Sequence, residues 1–275
     1  MPAPHFTENT PVALTVAGSD CSAGAGLQAD LKTFAAFKVF GLSALTCAVS
    51  ETPHTVSRIE ALPPDFLADQ VRLLLTSYPV AAIKTGMLFS KAHVDALADT
   101  LEAQNYNGHF VVDPVMTAGS GSPLVEPDAV EAITSRLFPR ASIVTPNLGE
   151  ASTLVDHPLT TLADLEQAAS SLRESYGVPF LIKGGHLTTD DPNRTDALCI
   201  DPGHPIHYEG PFIDEVPTHG TGCTYAAAIA AGLAKGDKLP DAVRHGHAYV
   251  ANAIRLSYRW TQPAEPIHAL NHQTA

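Results

Sequence analysis

Short apolar runs alternate with amphipathic segments along nearly the whole chain, and this alternation restricts the fold more than any other feature. Strands are expected at residues 12–17, 43–49, 81–84, 109–112, 142–144 and 179–183. Helices are expected at 26–37, 64–75, 92–101, 127–136, 147–155 and 162–176, where apolar residues recur at helical spacing. Leu27, Leu31, Phe34 and Phe37, for example, share one face of the first helix. Strand–helix alternation predicts an α/β domain: a mostly parallel sheet with helices on both faces, three layers in all. After residue 190 the pattern changes. Residues 196–200 and 205–209 flank a Pro202-Gly203 turn and predict an antiparallel pair at the sheet edge, followed by helices at 222–234 and 239–256. The expectation is one domain over residues 12–260, with tails at 1–11 and 261–275 and a mobile tip at the end.

Composition excludes several classes. The 275 residues are 45% hydrophobic, enough for a sizeable core, with a net charge of −13 and no Lys/Arg cluster, which argues against a nucleic-acid partner. Cys21, Cys47, Cys199 and Cys223 form no C-x-x-C pair, so neither a zinc site nor a thioredoxin motif is supported. They read as reduced thiols of a cytoplasmic protein. The first ten residues lack a basic segment followed by an apolar run, and no apolar run reaches membrane-spanning length.

The chemistry-bearing motifs sit at the ends of the expected strands. Thr218-His219-Gly220-Thr221-Gly222-Cys223-Thr224 opens a helix. Two glycines flank a threonine there, so backbone N–H groups and the positive end of a helix dipole converge on one point, which suits a phosphoryl group. Cys223 falls in the first helical turn, where a thiolate is favoured. Gly18-Ser19-Asp20-Cys21-Ser22-Ala23-Gly24-Ala25-Gly26 joins the first strand to the first helix, and its small residues allow close approach of a ligand. It matches neither the dinucleotide fingerprint nor the Walker loop. Asp113-Pro114 and Thr145-Pro146-Asn147-Leu148-Gly149-Glu150 bring oxygen ligands suited to a hydrated Mg²⁺, although Asn147 and Glu150 also fit simple helix capping. Lys183 precedes Gly184-Gly185-His186 and can meet a phosphate. An anion loop, acids, an amide and a lysine together are what Mg²⁺-assisted phosphoryl transfer needs.

The order and wording of these motifs, with Lys84-Thr85-Gly86-Met87, resemble the hydroxymethylpyrimidine/phosphomethylpyrimidine kinases of the ribokinase-like superfamily over about residues 12–260. The resemblance implies a ribokinase-like three-layer sandwich. It also implies an ATP- and Mg²⁺-dependent homodimeric enzyme of thiamine biosynthesis that phosphorylates an aminopyrimidine alcohol and then its monophosphate. By the same resemblance Cys223 is the base, and Gly220, Thr221 and Gly222 hold the transferring phosphoryl group. Lys183, Asn147 and Thr218 meet the nucleotide, and Asp113 and Glu150 organise Mg²⁺ through water. Gly18, Asp20, Ala25, Asp30, Met87 and Val115 belong to the substrate pocket.

Two positions depart from the family pattern. Ala23 stands where a glycine is usual, a mild change. Glu51, in Ser50-Glu51-Thr52-Pro53, stands where the family has a glutamine that both accepts from and donates to the aminopyrimidine edge. An ionised carboxylate only accepts. Either the ring nitrogen or Glu51 is then protonated in the complex, or the preferred substrate differs. A pyridoxal kinase of the same branch and a non-catalytic vitamin-precursor binding protein are the competing readings.

Overall fold

The computed structural model describes residues 9–116, 127–185, 187, 193–211, 213, 219–261 and 266–274. Thr218 and His186, singled out above, lie outside the described residues. The chain runs β1 (Val12–Asp20), α1 (Gly26–Ala36), β2 (Phe40–Thr52), β3 (Thr55–Ala61), α2 (Pro64–Ser77), β4 (Val80–Thr85), α3 (Lys91–Ala103), β5 (His109–Val112), α4 (Pro127–Ala132) and β6 (Ile143–Val144). It continues through α5 (Leu148–Val155), α6 (Leu162–Tyr176), β7 (Phe180–Ile182), β8 (Asn193–Cys199), β9 (Ile206–Pro211), α7 (Thr221–Ala234), α8 (Leu239–Arg255), β10 (Tyr258–Trp260) and β11 (Ile267–Ala269).

The main sheet has nine strands in the order β3-β2-β1-β4-β5-β6-β7-β8-β9. Neighbours from β2 to β7 are parallel. Antiparallel strands close both edges: β3 on one side, β8 and β9 on the other. Alternation along each strand sorts the core into two layers. Val12, Leu14 and Val16 of β1, with Phe110 and Val112 of β5, pack against Leu67, Val71, Leu97 and Leu165 of α2, α3 and α6. Ala13, Ala82 and Val111 face the opposite way, toward Phe34, Ala226, Ile229 and Val243 of α1, α7 and α8. The small residues of α7, nearly all buried, let that helix lie close against the sheet.

The order in which strands are added to the sheet reverses between β1 and β4, and at such points open α/β sheets bind ligands beyond the carboxyl ends of the strands. Backbone bonds tie the two ends together: Gly86 donates to Val16 at 3.0 Å and Gly18 to Met87 at 3.1 Å. Below them lies a fully buried ion pair. Lys84 donates to both carboxylate oxygens of Asp30 at 2.9 Å, and Thr15 donates to Asp30 at 2.5 Å. This contact joins β1, β4 and α1. Burial pushes the Asp30 carboxyl up against the pull of Lys84. Burial alone would discharge Lys84, but Asp30 and the charges nearby raise its pKa and keep it protonated.

Three features differ from the sequence expectation. β3 was not anticipated: nearly all its residues are exposed, so it carries no apolar run to detect. The helix expected at 127–136 is α-helical only to Ala132, then widens into a π-helical turn at Ile133–Leu137 and tightens at Phe138–Arg140, where Pro139 ends regular helical bonding. The expected tail is packed instead: β11 pairs with β10, and Leu270 and His272 are buried.

Replacing one partner of the buried pair leaves an uncompensated charge. Lys84→Met should cost about 3–5 kcal/mol in urea unfolding, and Lys84→Met/Asp30→Leu should recover most of it. A single mutant as stable as wild type would show that the pair carries no structural weight.

Candidate active site

Asp20, the last residue of β1, organises the first glycine loop. Its fully buried carboxylate accepts from the amides of Ser22 (2.7 Å), Gly24 (3.0 Å) and Ala25 (2.7 Å), and lies 3.0 Å from His219 Nε2. Burial alone would raise this carboxyl. The bonds from His219, Ser22 and Ala25 outweigh it and hold the group well below the usual range. In this structure the Asp20 carboxylate is held by the protein's own amides and His219, and that of Asp30 by Lys84 and Thr15. Gly18, Ala25, Met87 and Val115 lie at the ends of β1, β4 and β5 or just beyond, with Ala25, Met87 and Val115 half-buried.

His219 belongs to the second glycine loop, so its contact with Asp20 fastens the two loops together. Gly220 makes the fit closer still. Its φ is +82°, and a Cβ there would stand 1.9 Å from the Gly24 carbonyl oxygen, so only glycine can occupy this turn. The N-cap of α7 is Gly220, which has no side chain to cap the first-turn amides. Cys223 in that turn is not the favoured thiolate expected from its helix position. Burial, with Asp30 and Asp113 adding to it, pushes the thiol up to about 11 even though Lys84 and the Gly26 amide oppose the rise. At neutral pH it rests protonated.

Lys183 follows β7, and its ammonium donates to Asp113 Oδ1 at 2.9 Å. A Cβ on Gly222 would stand 3.2 Å from the same ammonium, so the anion loop and the lysine meet. Burial alone would lower the Lys183 pKa, but Asp113 and Glu150 raise it. Asn147 and Glu150 form a capping box on α5: Asn147 Oδ1 accepts from the Glu150 amide at 2.9 Å and Glu150 Oε2 from the Asn147 amide at 2.8 Å. The capping reading is thus correct, and it coexists with a place beside Lys183, to which Asn147 is joined by an isolated β-bridge. Burial pushes Glu150 up to about 7, with Asp113 adding and Lys183 opposing.

Glu51, near the end of β2, is bound through its backbone to Cys21 of the first loop. A carboxylate oxygen of Glu51 lies within 4.8 Å of ligand atoms of Asp20 and His219. With the Asp20 carboxylate already bonded four ways, this group makes a poor metal site and a better polar wall for a recess. Burial and the Asp20 charge raise the Glu51 carboxyl, with His219 opposing.

The residues fit a hydrated magnesium ion and a nucleotide. The contacts of Asp113 with Lys183 and Thr145 both fall on Oδ1, leaving Oδ2 without a protein partner among the described residues. The Thr85 hydroxyl, on the strand paired with β5, is buried and also unpartnered. These are hard oxygen donors, as Mg²⁺ requires. A cavity of about 330 Å³ lined by Leu101, Tyr106, Asn107, Gly108, Phe110 and Arg140 lies near the start of β5, away from this chemistry.

Lys84, His219 and Thr85 were not assigned roles from sequence. Each gains its place through a partner or strand end distant along the chain.

Fold and site together define a small-molecule kinase of the ribokinase-like class. The chain belongs to the phosphomethylpyrimidine kinase family, whose model matches residues 20–268. It is 38% identical to the hydroxymethylpyrimidine/phosphomethylpyrimidine kinase of Rhizobium meliloti over 94% of this chain and 97% of that one. It is 42% identical to the thiamine biosynthesis bifunctional protein ThiED of Geobacter sulfurreducens over 89% of this chain, but spans only 49% of that protein's length. Its fold superposes on an ADP complex of Bacillus subtilis pyridoxal kinase with a TM-score of 0.85, 32% identity and coverage of 97% and 98% of the two chains.

Because the folded-state pKa of Asp20 is depressed, its contribution to stability is present above the ordinary carboxylate pKa and is lost as pH falls through the acid range. Asp20→Asn should therefore cost about 1–3 kcal/mol at pH 7, with the gap from wild type narrowing only as the pH falls below about 4. Chemical unfolding across pH measures this. A constant gap would assign the loss to packing rather than charge.

Proposed function

We propose that this chain uses ATP and Mg²⁺ to phosphorylate the hydroxymethyl group of 4-amino-5-hydroxymethyl-2-methylpyrimidine and then the monophosphate, in thiamine diphosphate biosynthesis. The observation that carries this reading is the position of Lys183, whose ammonium lies between Asp113 and Gly222 of the anion loop. A fixed cation, a carboxylate with one oxygen to spare and a helix N-terminus converge there, which is the arrangement phosphoryl transfer exploits.

In this reading the amides of Gly220, Thr221 and Gly222 hold the transferring phosphoryl group, and Lys183 neutralises the phosphates. Asn147 and Thr218 border the nucleotide. Asp113 and Glu150 would hold Mg²⁺ through water, and the ion would supply charge neutralisation to the phosphates. The ring lies among Gly18, Ala25, Met87 and Val115 with its amino edge on Glu51.

Cys223 takes the alcohol proton as the oxygen attacks, and so must first lose its own. Lys84, Lys183 and the Gly26 amide are the groups that favour its thiolate. The fit to a pyridoxal kinase supports a second reading, in which a pyridine alcohol occupies the same recess.

A homodimer contact fits the flank bearing the exposed side chains Phe40, Phe66, Leu73 and Tyr78, where Phe40 and Tyr78 already stack at 6.2 Å. The cysteines Cys21, Cys47, Cys199 and Cys223 are all free thiols, which suits the reducing cytoplasm.

ADP release should appear with the pyrimidine alcohol and with its monophosphate, and exceed that with pyridoxal. Release with pyridoxal alone would favour the second reading, and release with none would overturn both. On the pyrimidine, wild-type kcat should rise with pH above 7, and Cys223→Ala should lose about 10²–10⁴-fold while still binding ATP. A pH-independent kcat would remove the thiolate from the mechanism.

A raised Glu51 carboxyl favours a complex in which one proton is shared between Glu51 and the ring nitrogen. Binding then takes up that proton, so pyrimidine affinity should fall by up to about 10-fold per pH unit on the alkaline side, and Glu51→Gln should abolish the dependence. Calorimetric titration across pH decides it. Parallel profiles for wild type and variant would place Glu51 outside the recognition of the ring.

A further inference from the structure

The C-terminal segment reaches back to the catalytic turn. β11 pairs with β10, and the Asn271 amide then donates to the Ala253 carbonyl at 3.1 Å, binding the segment to the end of α8. The next residue, His272, is buried beneath the helices. Its carbonyl accepts from the Tyr249 hydroxyl of α8 at 2.8 Å, and its Nε2 lies 3.1 Å from the Thr224 hydroxyl of α7. Burial lowers the His272 pKa to about 4 and keeps the ring neutral, so one ring nitrogen donates and the other accepts. The Thr224 hydroxyl can donate or accept, so the contact with Nε2 is made in either tautomer. Tyr249 further engages Thr33 of α1 and packs edge-on against Phe37 at 5.1 Å. His272 thus stands where α1, α7 and α8 meet.

Thr224 is fully buried and follows Cys223 directly. Its amide closes the first turn of α7 on the Gly220 carbonyl at 2.9 Å. That turn has no side-chain cap, so its orientation depends on what grips it from outside. On the pocket side the grip is Gly220 against Gly24 and the His219–Asp20 contact. On the opposite side it is the hydrogen bond between Thr224 and His272.

We propose that His272 is a positioning residue for phosphoryl transfer: by hydrogen-bonding the Thr224 hydroxyl it fixes the first turn of α7, so that Cys223 and the anion-cradling amides are aligned only when the C-terminal segment is docked. The inference rests on the kinase reading above. It touches no substrate group itself and acts through Thr224. A turn misplaced by a fraction of an ångström affects the transition state more than the ground state, so the effect falls on kcat.

The test compares His272→Ala, His272→Gln, His272→Asn and the isosteric Thr224→Val in steady-state kinetics, with thermal unfolding recorded for each. His272→Ala and Thr224→Val should each lower kcat by about 10-fold or more while KM for ATP and for the alcohol changes less than about twofold. Glutamine carries an amide to the place of Nε2, whose oxygen or NH₂ can meet the hydroxyl, and should restore kcat to within about threefold of wild type, whereas the shorter asparagine should not. The Thr224→Val/His272→Ala double variant should be no slower than either single one, since both remove one bond. An unchanged kcat in a folded His272→Ala protein would overturn the proposal. So would full additivity in the double variant, or glutamine no better than alanine. If His272→Ala fails to fold, Thr224→Val and His272→Gln decide the matter.

A second readout is independent of turnover. The rate at which iodoacetamide alkylates Cys223, followed by peptide mapping, should change at least about threefold in His272→Ala while that of exposed Cys21 stays constant. If wild type phosphorylates no vitamer, the kinase reading fails and this measurement alone judges whether His272 positions the turn. Equal Cys223 rates would then overturn it.

Discussion

A lysine and an aspartate share a fully buried contact beneath the strand ends, and the arrangement above them depends on it. Desolvating two charges is costly, and a buried pair seldom stabilises a fold better than packed apolar side chains would. Its use here is positional and electrostatic. Lys84 and Asp30 join β4 to α1, with Thr15 of β1 as third member, at the point where the chain reverses direction across the sheet. They also flank Cys223 with opposite charges: Lys84 favours the thiolate and Asp30 opposes it. An apolar substitute would keep the layers together and deprive the thiol of the Lys84 charge that favours its thiolate.

The second constraint is the contact between the two glycine loops. Asp20 gathers three amides of its own loop and the His219 imidazole of the other, while Gly220 lies against Gly24 with no room for a side chain. The two glycine loops are therefore held together as one edge of the sheet. For a chain of net charge −13, the attraction of a polyanion has to be local. Lys183 and the amino end of α7 supply it within one short span, and Asp113 fixes the lysine there without neutralising the amides.

The parallel sheet, its antiparallel edge at β8–β9 and the convergence of the motifs were all readable from periodicity and from motif position at strand ends. What escaped has a common cause. β3 is a polar edge strand held by its pairing with β2, so nothing in its own residues marks it. β11 is three residues long and His272 owes its burial to α7 and α8. The protein partners of Asp20 and Asp30 were not readable from sequence, because Lys84 and His219 lie 54 and 199 residues away along the chain. Cys223 shows the same limit in its chemistry. Its place at a helix N-terminus is a local fact that favours ionisation, while burial and the carboxylates of Asp30 and Asp113 are tertiary facts that win against it.

Glu51 illustrates how such tertiary facts bear on specificity. A glutamine can present both an acceptor and a donor with no charge, whereas a carboxylate beside Asp20 must either stay protonated or receive a cation. The wall of this recess already holds one ionised carboxylate, satisfied by amides and His219. Adding a second raises the cost of ionising Glu51, which is the direction its carboxyl moves. A ring that brings a proton, or accepts one from Glu51, relieves that cost. A neutral ring with only acceptors on its edge gains nothing from an ionised Glu51. In the proposed function, the pocket would therefore select for the protonation state of its ligand as much as for its shape.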